Sequence, residues 1–429
     1  MKNPLLDDNI FVPDAEAHVW EDGRIYLYGS YDIKGADNYC SDRYHVFSSD
    51  DMETWVDHGV SFTFPEGWAN DCPLKVLYAP DCAYRNGKYY LYYCIPDGRC
   101  GVAVSDRPYG PFEDIGQIKG MQGIDPAVFI DDDGQAYIYW GQFDGVRSAK
   151  LNPDMITIDE KSVTQPLSVA EHDFHEGSSV KKINGKYVFV YTDTHRHKDK
   201  VKGGMATCLG YAVSDHPQDG FEYRGVIIDN YGCDPGTWND HGSIERFRGQ
   251  WYVFYHRSSH GCQFSRRVCA EKIEIDGDCS IKEVIMTSGD LTASCIKASA
   301  ACALTGTVRI AGDPLVLTGI SRGDTAAFRY VTFDGEDDVV LDGASARVFI
   351  DGVEFFPGAP LTGTHELKLV FKDGEELRRI RFGKRSEVSL KCRMMNDWYG
   401  IIKVELTNSP RRDRMKKREG EENDLRKEF

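Results

Sequence analysis

The chain has 429 residues and a formal net charge of −17. That charge opposes nucleic acid or an anionic membrane as a partner, since either would repel the protein as a whole. Gly 42, Tyr 23 and Phe 21, with few long helical patterns, describe the short strands and tight turns of an all-β protein.

The length exceeds a usual single core and predicts two domains, and no window reaches the apolar length of a membrane span. The first twenty residues carry no apolar run of signal-peptide length, because Asp7, Asp8 and Asp14 interrupt it. Thirteen cysteines at irregular spacing read as reduced core residues of a cytoplasmic protein. Cys94 and Cys100 lack the paired spacing of a structural zinc site.

Five times a loop Gly introduces a run of aromatic and β-branched residues: DGRIYLYGS at 22–30, NGKYYLYYC at 86–94, DGQAYIYWG at 133–141, NGKYVFVYT at 184–192 and RGQWYVFYH at 248–256. The spacing, roughly 45 to 65 residues, is that of propeller blades with insertions. Each phrase follows a short apolar strand, and further strands are expected at 44–50, 100–106, 147–151 and 209–215. Five such units close into a ring that leaves no open sheet edge, so residues 1–287 are expected to form a five-bladed β-propeller. From Gly289 the phrase disappears. Short alternating segments such as TAAFRYVTFDG and HELKLVFKDG predict a β-sandwich over 288–408, followed by a charged, disordered tail over 409–429.

Nine positions before the five glycines stand Asp14, Tyr78, Asp125, Glu176 and Asp240, with His241 beside the last. Equivalent blades would bring these positions to one axis, so three carboxyls remote in sequence meet in one pocket. Inverting hydrolysis of a glycosidic bond requires such a set: one carboxylate to deprotonate water and one protonated carboxyl for the leaving oxygen. Repulsion and desolvation within the set raise at least one pKa and keep an acid protonated near neutral pH.

The motifs VPD at Asp14, YAPD over 78–81, IDP at Asp125 followed by FIDDDG, HEG at Glu176 and NDHGS at His241 resemble the family 43 glycoside hydrolases over roughly residues 3–285. The resemblance implies a five-bladed propeller and an inverting exo-glycosidase releasing pentose, α-L-arabinofuranosyl or β-D-xylosyl, from plant-derived oligosaccharides. It implies Asp14 as general base, Asp125 as the residue that modulates the acid and orients substrate, and Glu176 as general acid. Asp14 departs from the family pattern in being followed by Ala15 instead of Pro.

The same resemblance puts His241 at the pocket floor, against a structural calcium or a water cluster in the central channel, with no cofactor required. An imidazole alone is a poor calcium site, so such an ion would be held largely through waters. For the sugar, Tyr78 and Trp140 are the expected stacking platforms, with Asp32 beside Tyr31, and Arg266 or Arg267 as the basic contact, one of the pair facing the pocket because strand neighbours alternate. Asp81 reads as a blade-turn residue and Asp131, Asp132 and Asp133 as solvated. The second domain resembles a family 6 carbohydrate-binding module with Trp398 as its single tryptophan. A glycoside phosphorylase and a non-catalytic glycan-binding propeller stay open as alternatives.

Overall fold

Each repeated phrase becomes the second strand of a hairpin whose first strand lies nearest a common axis. The turns Asn86-Gly87, Asn184-Gly185 and Arg248-Gly249 have positive φ at both positions (53° and 81°, 51° and 81°, 49° and 87°). They join directly paired residues, such as Arg85 with Lys88 and Ile183 with Lys186. This is the two-residue turn whose twist matches that of the flanking strands.

The computed structural model describes residues 1–68 and 72–384. Four antiparallel four-stranded sheets run in sequence order from Glu16–Val19 to Val56–Thr63, Tyr78–Arg85 to Glu113–Gln122, Ala127–Ile130 to Ile158–Leu167, and Phe174–Ile183 to Glu222–Asp229. A fifth contains Ser243–Phe247, Gln250–Ser259 and Cys262–Ile273. The first strands neighbour one another around the ring. Ser243 Oγ closes it on the first blade, accepting from Ala17 N (3.1 Å) and donating to Ala15 O (2.9 Å).

The fourth strands were not anticipated. Segments such as EDIGQIKGMQ bury little of their length, so no alternation marks them. The N-terminal segment instead flanks the outer strand of the fifth blade: Leu5 N donates to Val268 O (3.0 Å) and Asn3 Nδ2 to Ala270 O (2.7 Å).

The aromatic residues of the phrases fill the wedges between blades. Tyr139 meets Phe189 edge-on across the third and fourth blades, with centroids 5.3 Å apart. Trp140 is buried in the wedge between the second and third with Tyr92, Val102 and Ile138. Asp131 is not solvated as expected, for it binds Lys182 Nζ (2.7 Å) and the Tyr187 hydroxyl of the next blade. Asp81 lies within Tyr78–Arg85, not in a turn, and accepts from Val128 N (2.6 Å) while contacting His18 Nε2 (2.7 Å).

The described residues after Gly289 form one extended nine-stranded β-sheet system from Leu291–Thr292 to Leu361–Gly383, around a core that includes Phe328, Leu367 and Phe371. It is tied to the fifth-blade region by Leu304 N to Gly232 O (2.8 Å) and His260 N to Ile310 O (2.7 Å). Trp398 and segment 409–429 lie outside the described residues. Among the described residues the cysteines are free, and no helix is long and apolar enough to cross a membrane.

Candidate active site

Asp14 and Asp125 occupy the same backbone conformation just before the innermost strands of the first and third blades, with φ of 57° and 55°. This left-handed region costs an ordinary residue roughly 1–2 kcal/mol and is best tolerated by Asn, Asp and Gly. Here it accompanies two carboxyls that line one pocket. Glu176 sits at an irregular point of Phe174–Ile183, where the register shifts on either side of it. The glycine that follows is required, since φ is 71° and a Cβ on Gly177 would lie 2.8 Å from the His241 ring. Gly177 N in turn donates to Asp125 Oδ2 (3.3 Å).

The three acids therefore share one cavity of about 350 Å³, with Tyr39, Cys40, Tyr78, Gln142, Phe143, His175, Trp238, His241 and Arg266 among its walls. His241 Nδ1 lies 3.8 Å from Asp125 and 4.0 Å from Asp14. Its neighbour Asp240 points away and accepts from His241 N (3.0 Å) and His256 N (3.1 Å).

Burial pushes the Asp14 carboxyl up, but the Arg266 guanidinium leads the nearby positive groups that outweigh it, and the group settles below its ordinary value. Arg266 Nη1 donates to Asp14 Oδ1 (2.9 Å). Burial raises Glu176, and Asp14 adds to the rise, against the pull of His241 and of a hydrogen bond from Gln142. Burial and the charge of Glu176 drive Asp125 well up. One pocket thus holds an ionised carboxylate beside two carboxyls that resist ionisation, the division of labour that acid–base chemistry requires.

The expected sugar contacts divide. Tyr78, Arg266 and His241 line the pocket, and burial pushes the Tyr78 hydroxyl up to about 12. Trp140 does not: it is 2 % exposed and its indole N–H donates to Gln122 O (3.2 Å). Asp32 is buried behind the wall, gripping Arg266 Nε and Nη2 (both 2.9 Å). Strand alternation turns Arg267 away, with Nη1 reaching Ser299 O (3.3 Å) in the short 3-10 helix Ala298–Ala300.

Sequence reading missed Tyr39, Cys40, Gln142, Phe143, His175 and Trp238. Most come from connections between strands, outside the repeated phrase. His175 carried a signal as the neighbour of Glu176, and Tyr39 and Cys40 carried one by lying in the insertion over residues 33–42 that follows the first repeated phrase.

A small cavity of about 10 Å³ lies below, lined by Asp14, Glu16, Asp81, Asp125, Ser178 and His241 among others. Such a space admits about one water-sized particle.

Paired acids with opposed ionisation in a sugar-sized pocket on a β-propeller define a glycoside hydrolase. The pattern of glycosyl hydrolases family 43 matches residues 1–279, and the chain belongs to that family. It is 34% identical over 330 residues to a xylosidase/arabinosidase of Thermoclostridium stercorarium, covering 67% of each chain. It is 36% identical over 338 residues to xylosidase/arabinosidase 43A of Humicola insolens, covering 64% of this chain and 97% of that one.

Among solved structures, a family 43 β-xylosidase/α-arabinofuranosidase from a compost microbial metagenome, in complex with xylotriose and in calcium-free form, matches with a TM-score of 0.57. Identity is 32%, over 66% of this chain and 97% of that one. A Bacillus subtilis arabinoxylan arabinofuranohydrolase matches with a TM-score of 0.56 at 25% identity, over 89% of this chain and 97% of that one.

Proposed function

We propose that the protein is an inverting exo-glycosidase that removes a terminal pentose, α-L-arabinofuranosyl or β-D-xylosyl, from plant-derived oligosaccharides. Asp14 acts as general base on water, Glu176 protonates the leaving oxygen, and Asp125 orients the sugar and helps keep the acid protonated. The carrying observation is the opposed shift of Asp14 and Glu176, with Arg266 bound directly to the first. Relatives named as xylosidases and arabinosidases support the pentose. Arg266 is the one Lys or Arg among the described residues lining the pocket, and carboxylates already bind it. A phosphate site lacks cations there, which disfavours a phosphorylase. Proton NMR of the first sugar released tests the reading: inversion at the anomeric carbon is expected, and retention would exclude single displacement.

The small axial cavity fits a calcium ion in its donors, carboxylate oxygens with the buried and unpartnered Ser178 Oγ. In that reading the ion is structural, and His241 adds a nitrogen ligand or a water contact. The described part of the second domain, residues 288–384, is read as a jelly-roll sandwich that packs against the propeller, which the Ser299 contact to Arg267 supports. Free cysteines throughout the described residues suit a cytoplasmic enzyme acting on imported oligosaccharides.

A further inference from the structure

The acid Glu176 stands beside two exposed aromatic rings, Phe143 and Trp238, that line the same pocket. Phe143 is 63% exposed at the pocket wall although its backbone is left-handed (φ 58°), a conformation that is an outlier for a bulky residue and persists only where the surroundings enforce it. They do so here. Phe143 N donates to His175 O (3.0 Å) and Gln165 Nε2 braces Asp144 O (2.9 Å). A Cβ on Gly141 would lie 2.4 Å from Gly145 O, so the turn admits nothing larger at that position.

The tight turn places Gln142 on Glu176 and, one residue later, the Phe143 ring at the pocket wall. From the connection before the fifth blade comes Trp238, 40% exposed. The His175 ring links the two, edge-on to Phe143 at 5.3 Å and to Trp238 at 6.5 Å. Asp14, Cys40 and Arg266 are buried, and the half-buried Tyr39 ring is occupied by the Arg266 guanidinium 4.8 Å from its centroid.

A general acid must lie beside the oxygen it protonates, so the leaving group occupies the side of Glu176. We propose that Phe143 and Trp238 form the leaving-group clamp, receiving a pyranose ring whose apolar C–H face packs on their rings, and that they set the preference for a sugar over a small alcohol as aglycone. This rests on the assignment of Glu176 as acid and on the pentosidase reading. The left-handed turn at Phe143 then has a role, because it holds an apolar ring in solvent at the pocket wall.

The test compares two substrates with the same terminal pentose and linkage, one a disaccharide and one the methyl glycoside. Both have poor leaving groups and need the acid equally, while only the disaccharide offers a ring to the clamp. For Phe143→Ala and Trp238→Ala, kcat/KM on the disaccharide should fall roughly 2- to 10-fold each, the worth of one ring contact, with the methyl glycoside unchanged. Phe143→Leu, which keeps an apolar side chain without the ring, should show the same selective loss, and Trp238→Phe should retain most of the preference. Equal losses on both substrates, or none on either, would overturn the clamp. Failure of the pentosidase reading looks different: the unsubstituted enzyme would turn over neither substrate, and the clamp would fall with it.

Discussion

Arg266 Nη1 sits 2.9 Å from Asp14 Oδ1 while Asp32 holds the same guanidinium through Nε and Nη2. The base is thus held ionised by a cation that is itself positioned by a second carboxylate. Burial raises Asp14, so it is the guanidinium that brings the group down. Replacing Arg266 with Gln removes the stabilising charge and lets the Asp14 pKa rise. Because the base works only when deprotonated, the acidic limb of the kcat/KM profile should move to higher pH. An unmoved acidic limb would mean that Asp14 is not the group titrating there.

Asp32 makes a separable prediction. It does not itself line the pocket, yet it accepts from Cys40 N (3.1 Å) as well as from Arg266, and so braces two wall residues at once. Asp32→Asn keeps the shape and loses the charge-assisted fork. A displacement of Arg266 by about 1 Å is enough to cost on the order of 10²-fold in kcat. Far-UV and near-UV circular dichroism would confirm that the fold is retained, and undiminished kcat would reduce Asp32 to a packing residue.

On the acid side, Gln142 Nε2 donates to Glu176 Oε2, and a hydrogen bond to the ionised carboxylate favours that form. Gln142→Ala should therefore raise the Glu176 pKa further. The acid stays protonated to higher pH, and the basic limb of the profile moves up, the same direction as the acidic limb moved by losing Arg266, because each change removes a donor that favours a carboxylate. Glu176→Gln should lower turnover of alkyl glycosides by about 10²- to 10⁴-fold and spare substrates whose leaving groups need no protonation. Equal losses on both substrate kinds would count against Glu176 as acid.

The repeat made much of this readable before any coordinates. A residue at a fixed offset from a turn glycine occupies the same place in every blade, so Asp14, Tyr78, Asp125 and Glu176 could be grouped from one sequence. The offset failed at the fifth blade, where Asp240 turns to cap the His241 and His256 amides and His241 enters the pocket instead. It also carried no information about connections between strands, the source of Tyr39, Gln142, Phe143 and Trp238. Trp140 misled because a tryptophan at a strand end serves the wedge between blades as readily as a sugar face. Arg266 and Arg267 show what alternation can do: it separates a pair correctly but does not say which member faces the pocket.

His256 ends the fifth repeated phrase, at a position where the repeat marks no chemistry. Its ring is fully buried beside Asp14 and accepts from Asp14 N at Nδ1 (3.4 Å). Nε2 faces two oxygens of Asn239, at 3.1 and 3.0 Å, so the proton belongs on Nε2 and the lone pair on Nδ1. Burial, reinforced by the Arg266 charge, holds the pKa down at about 3. A folded value below the ordinary 6.5 means that the unfolded chain takes up a proton first. The stability His256 lends is therefore complete above about pH 6.5 and is lost progressively as pH falls towards about 3. Nitrogen-15 NMR of the labelled imidazole should show the neutral Nε2–H form throughout about pH 5 to 8, where ordinary histidines change charge. His256→Asn can still present an acceptor to Asp14 N and should keep more activity than His256→Phe, which leaves that buried amide unpaired at a cost of about 1–3 kcal/mol. A ring that titrates within that range, or equal activity in the two variants, would show that the left-handed turn at Asp14 does not depend on this imidazole.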